Sequence, residues 1–195
     1  MNTAITTLPP QLTLNLDLTD EQFFQLCQNN RDLRFERTAA GELIIMPPTG
    51  SDTGNRNFDI AVELGIWNKQ TKLGKGFDSS TGFKLPNGKD VSPDVAWVKK
   101  ESWDSLTPEQ QNKFAPIYPD FVIELRSPSD SLKPLQEKMQ EYIENGVKLA
   151  WLIDRKQRKV FIYRPAKVVE ELDKPQTLNG EDILPGFVLD LSDIW

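Results

Sequence analysis

The 195-residue chain contains no histidine, has a single cysteine, Cys27, and nowhere strings together enough apolar residues to cross a membrane. Each shortage removes a class of chemistry. Without histidine there is no Ser-His-Asp or Cys-His triad, no histidine-ligated zinc and no imidazole base. What remains is carboxylates, lysine, arginine, hydroxyls and any hard ion held by oxygen. A lone cysteine forms no internal disulfide, and Cys27 lies in "EQFFQLCQ", where an apolar helix face is a simpler role than nucleophile or ligand. Positive charge is also short. Lys and Arg number 23 against 29 Asp and Glu, a net −6 that argues against a general nucleic-acid coat but leaves room for a local basic cleft. The start, "MNTAITTLPPQLT", lacks the basic residues and apolar core of a leader, so a cytoplasmic protein without membrane segments is expected.

What is present reads as one domain over 1–195. "LTLNLDL" alternates like an edge strand. "TDEQFFQLCQNN" follows, where Thr19 and Gln22 have capping-box spacing ahead of Phe23, Phe24, Leu26 and Cys27. "LRFERTAAGELIIMPP" suggests a hairpin turning near Gly41, which closes an N-terminal extension over 1–50. A helix is expected from Ser51 to Lys69. Phe77, Ser79, Thr81 and Phe83 then alternate as a strand, Asn87-Gly88 signals a turn, and "VSPDVAWV" resumes as a buried strand. A short surface helix begins at Thr107-Pro108. Leu135, Met139, Tyr142 and Ile143 have helical spacing, closed by Asn145-Gly146. "KLAWLID" and "KVFIYR" complete a core over 51–165, and residues 166–195 read as further strands with turns at Asn179-Gly180 and Pro185-Gly186. The order is that of an α/β domain with a mixed central sheet.

Three charged residues interrupt apolar strands or their edges: Asp94 in "SPDVAWV", and Glu124 and Arg126 in "PDFVIELRSPSD". Buried charge is costly, so it needs a partner or a task. Residues two apart on a strand share a face, which puts Glu124 and Arg126 on one side and Leu125 on the other. Beside the Asp94 strand, two carboxylates and a guanidinium would converge. That set suits a Mg²⁺ site for phosphodiester hydrolysis, in which an ion polarises phosphate and activates water.

"SPD" at 92–94 with "ELR" at 124–126 resembles the signature of the PD-(D/E)XK nuclease superfamily. The string "PDFVIELRSPSD…LQEKMQEYIENGVKLAWLIDR" is similar to the Uma-type restriction endonuclease family. The resemblance runs from "RFERTAAGELIIMPP" to "VFIYRP" and is strongest over Pro119 to Asp154. It implies a restriction-endonuclease-like core (αβββαβ), with Mg²⁺ or Mn²⁺ as cofactor, DNA as substrate and a homodimer that cuts both strands. By this resemblance Asp94, Glu124 and the Leu125 carbonyl hold the metal, and an acidic residue of the first core helix joins them, Glu63 or else Asp59. The lysine position holds Arg126, which stays protonated and cannot act as a base. Lys138 on the following helix is the other candidate for that role, with Tyr142 on the same face and Gln136 nearby.

Plainer roles stand beside these. Glu124 and Arg126 could be a same-face ion pair, Glu63 a solvated helix residue, and Lys138 a partner of Glu137 or Glu141. Tyr142 fits a core position, and Trp97 and Trp151 fit core or interface better than base-stacking platforms. Ser127 to Asp130 reads as the turn and N-cap starting the helix. Asp94 after a proline, the absence of histidine and the resemblance to the nuclease family together favour a nuclease. A nuclease-fold protein that binds without cutting is the alternative, and a carboxylate-pair glycosidase gains nothing from Arg126.

Overall fold

The computed structural model describes residues 11–195, so the reading of the first ten residues as lacking a leader lies outside the described residues. β1 (Leu12–Asn15) runs into α1 (Asp20–Asn29). The expected capping box is formed: the Gln22 amide donates to Thr19 and the Thr19 amide to the Gln22 side chain, which satisfies two donors the first turn would leave open. β2 (Arg34–Arg37) and β3 (Glu42–Met46) make the hairpin expected near Gly41, whose φ of 89° suits glycine. α2 (Ser51–Thr71) is one long helix, burying Thr53, Asn57, Ile60, Leu64 and Trp67 at helical spacing. The strands β4 (Gly74–Asp78), β5 (Phe83–Lys84), β6 (Asp90–Val91) and β7 (Val95–Lys99) follow. Two short helices, α3 (Lys100–Asp104) and α4 (Pro108–Gln111), lead to β8 (Phe121–Leu125) and α5 (Leu132–Glu144). The chain ends in β9 (Leu149–Asp154), β10 (Lys159–Tyr163), β11 (Glu170–Asp173), β12 (Thr177–Asn179) and β13 (Val188–Asp190).

The central sheet has the order β11-β10-β9-β8-β7-β4, parallel only between β8 and β9 and antiparallel elsewhere. It is the mixed sheet expected, with α5 as the crossover that a parallel pair requires. β8 and β9 are buried along their whole length because both faces are covered. On one face Phe121, Ile123, Leu125 and Trp151 pack with Ile60, Leu64 and Trp67 of α2 and with Leu178, Phe187 and Leu189. On the other, Val122, Ala150 and Leu152 meet Met139 and Tyr142 of α5. Burial of each such large side chain contributes about 1.5–3 kcal/mol.

Two local expectations are corrected. Phe77 to Phe83 is not one strand: Asp78 accepts the Ser80 amide and hydroxyl, the chain turns, and β5 leaves for a second sheet. That sheet, ordered β1-β3-β2-β6-β5, joins the N-terminal hairpin to the β5–β6 hairpin turning at Asn87-Gly88. The second correction concerns α5. Asp130 accepts the Ser127 amide and shapes the turn, but the cap is Ser131 and the helix opens at Leu132. At its far end Gly146, with φ 111°, is required, since a Cβ there would lie 2.8 Å from the Tyr118 ring.

Candidate active site

β7 and β8 pair with Val95 opposite Ile123; Asp94 is the residue just before β7 and Glu124 the residue just after Ile123 on β8. Val122 and Glu124 alternate onto the face that α5 covers, whereas Asp94, outside the strand, is reached from α2. Asp94 is held from two sides, its Oδ2 accepting the Leu125 amide and its Oδ1 the Asn57 side chain of α2, each at 2.9 Å. The Arg34 guanidinium lies 3.9 Å from Asp94. Glu124 is 5% exposed, and its Oε1 receives both the Tyr142 hydroxyl at 2.8 Å and the Lys138 ammonium at 2.9 Å. Lys138 reaches a second carboxylate, Glu36 of β2, also at 2.9 Å.

The electrostatics follow from burial. Loss of water raises the Glu124 carboxyl to about 7; Lys138 opposes that rise, while neighbouring Asp94 and Glu36 add to it. Burial likewise pushes Asp94 up, against the Leu125 amide and Arg34. Burial pushes Glu36 up too, but Lys138 and the Ser92 amide outweigh it and leave this carboxyl below its ordinary value. Burial would strip Lys138 of its proton, yet Glu124 and Glu36 hold it more firmly ionised than a free lysine. Three acidic side chains thus face one ammonium and one guanidinium, and Glu36 is the carboxylate that the ammonium keeps charged.

Asp94, Glu124, Lys138 and Tyr142 are therefore together. Arg126 is bound elsewhere: its Nη1 meets Asp154 of β9 at 2.6 Å and its Nε donates to the Asp130 carbonyl, so its ion pair runs across the parallel strands and not to Glu124. Glu63 is exposed and Asp59 half-buried on α2; among the described residues neither bonds to the cluster, and the α2 residue that does is Asn57. Gln136 lies on another flank of α5, beside Phe161 and Tyr163. Sequence reasoning missed Glu36, Arg34 and Asn57. The one available signal for the first two was their i, i+2 spacing on a strand read only as half of a hairpin.

Among the described residues, no group of three or more Asp, Glu, His or Cys is arranged to hold a metal ion, and no helix is long and apolar enough to cross a membrane. One buried acceptor beside Asp94, the Asn57 Oδ1, has no hydrogen-bond donor.

A mixed sheet whose single parallel pair is crossed by a helix, with an Asp and a Glu at adjoining ends of two interior strands and a lysine entering from that helix, defines a restriction-endonuclease-like α/β protein. The chain belongs to the Uma2 family, whose model, described as "Putative restriction endonuclease", matches residues 20–192. Among solved structures it is similar to one described as "a putative nuclease belonging to DUF820" from Anabaena variabilis. The identity is 19%, the TM-score 0.73, and the match covers 91% of this chain and 97% of that one. At that identity the likeness shows the fold. No curated protein matches the chain.

Proposed function

We propose that the chain is a divalent-metal-dependent endonuclease that hydrolyses DNA phosphodiester bonds. The observation that carries the reading is the pair Asp94 and Glu124 at adjoining ends of β7 and β8, where the Leu125 amide donates to Asp94 and the Lys138 ammonium meets Glu124. The residues fit a hard cation. They offer oxygen donors only, an excess of buried acid over base, and the orphaned Asn57 Oδ1 beside Asp94. Mg²⁺, or Mn²⁺ in its place, takes one or two carboxylates together with water and substrate phosphate, so a three-carboxylate cage is not required. Asp94 and Glu124 would hold it. The Leu125 carbonyl would be the third protein donor, because the Leu125 N–H already faces Asp94 and both groups of a strand residue face the same edge. When bound, the ion polarises the phosphate and makes its water more acidic.

The chain's own side chains do the remaining work. Lys138, ionised between two carboxylates, orients the attacking water and offsets charge developing on the phosphate. Tyr142 donates to Glu124 Oε1 and fixes that carboxylate's rotamer. Arg34, Arg56 and Arg155 stand near the same end of the sheet and supply contacts to backbone phosphates. Cutting both strands calls for two sites, which a homodimer supplies; the stripe of exposed Phe58, Val62 and Ile66 along α2 suits self-association.

The test is supercoiled plasmid with Mg²⁺ or Mn²⁺. The parent is expected to nick and linearise it, and Asp94→Asn and Glu124→Gln to abolish this. Retained cutting in either variant refutes the assignment. The second reading, binding without cutting, is favoured by the locking of Arg126 onto Asp154 at the lysine position. It prevails if the parent binds DNA but leaves it intact under every metal condition.

A further inference from the structure

We propose that the N-terminal hairpin is part of the active site, with Glu36 as the positioning residue that holds Lys138 against Glu124. The inference rests on the nuclease reading above. Arg34 and Glu36, two apart on β2, face the cluster together; Arg34 approaches Asp94, and Glu36 approaches Lys138. The intervening Phe35 packs with Phe23 of α1 and with Leu43, and Arg37 is locked to Asp90 at 2.6 Å and to Asp20, so the strand cannot rotate its faces. Glu36 is 4% exposed, the burial of a residue with fixed partners rather than a surface charge.

Its Oε1 accepts from two elements that carry the chemistry. One donor is the Lys138 ammonium on α5; the other is the Ser92 amide at 3.1 Å, two residues ahead of Asp94. The pairing of β2 with β6 places the strand there, because β6 ends at Val91 and runs directly into Ser92. One carboxylate therefore sets the distance between the segment bearing Asp94 and the helix bearing Lys138. Without it the ammonium has Glu124 as its one remaining carboxylate partner, and a lysine side chain on one anchor samples many rotamers. Glu36 touches no substrate in this arrangement; it acts through Lys138.

A purely structural tether and a positioning residue differ in how their loss combines with loss of Lys138. Metal-dependent plasmid cleavage would be measured for the parent, Glu36→Gln, Lys138→Met and the double variant, with a thermal melt for each. Gln keeps the shape and can still accept the Ser92 amide, so it isolates the charge. Glu36→Gln is expected to lower kcat by about 10- to 100-fold, as loss of an outer-shell partner does, with KM within about twofold. The double variant is expected to be no slower than Lys138→Met. Multiplicative losses in the double variant overturn the inference, as does a Glu36→Gln protein that cuts at the parent rate or no longer melts cooperatively. A parent that never cuts overturns the nuclease reading and this inference with it; a cutting parent with an unimpaired Glu36→Gln variant overturns this inference alone.

Discussion

At the residue scale, Glu124 carries a cost in stability that its proposed metal-holding role would explain. Its carboxyl sits at about 7 because burial disfavours the ionised form. A folded-state value above the unfolded one means that stability is fully present below about pH 4.5 and is lost as pH rises toward 7, at about 1.4 kcal/mol per unit. Asp94, also raised, adds in the same direction, whereas the lowered Glu36 acts with opposite sign below its ordinary range. In chelator, the parent is expected to be less stable at pH 8 than at pH 5 by a few kcal/mol in urea melts. Glu124→Gln should flatten that slope and melt higher than the parent at pH 8 while losing cleavage. A variant with the parent's slope would show that the strain lies elsewhere. Cys27 gives a second test at this scale. Burial, with Asp90 nearby, raises its thiol to about 11, so its thiolate at pH 8 is scarce. Alkylation by iodoacetamide should run at least about 100-fold slower than for a free thiol, followed by intact mass; labelling at the free-thiol rate would contradict that burial.

At the element scale, Arg126 shows what a strand position decides. Read along β8, it sits two residues after Glu124 and invites a shared role. Read across the parallel β8–β9 pair, it lies beside Asp154, a fully buried carboxylate that also accepts the Lys156 amide. Arg126→Met leaves Asp154 buried without its cation, a loss expected to cost about 3 kcal/mol in denaturant melts. A cost below about 1 kcal/mol would mark the pair as a surface-type bridge. The contrast explains what the sequence could show. Asp94, Glu124 and Lys138 were legible because each breaks an apolar pattern or lies at helical spacing from residues that do. Glu36 was not, because "RFER" alternates as any half-exposed hairpin does, and only the pairing of β2 with β6, set by two residues, brings it inward. The Thr19–Gln22 capping box and the Asn145-Gly146 stop were local and therefore readable. The break after Asp78, which sends β5 into another sheet, depends on tertiary pairing and was not.

At the scale of the whole molecule, the proposed binding of DNA by a chain of net charge −6 would rest on a few well-placed cations. Arg56 and Arg155 are suited to this. They share the exposed Asp52 through their Nη1 atoms, at 3.2 and 2.7 Å. Arg56 adjoins Asn57, which holds Asp94, and Arg155 follows β9 at the end of the sheet where Glu124 and Leu125 close β8. A phosphate reaching this pair needs only to displace a solvent-exposed carboxylate, a small cost beside two bidentate guanidinium contacts. Binding to a short duplex would be followed by anisotropy over a salt series in the Asp94→Asn background, where cutting is disabled. Each phosphate contact contributes a slope of about −0.9 in log K against log salt, so Arg56→Ala with Arg155→Ala should reduce the slope's magnitude by about 2 and weaken binding at every salt concentration. An unchanged slope would place the DNA on another face. A slope changed with no effect on kcat at saturating DNA would assign the two arginines to holding the backbone, leaving the chemistry to the carboxylates and Lys138.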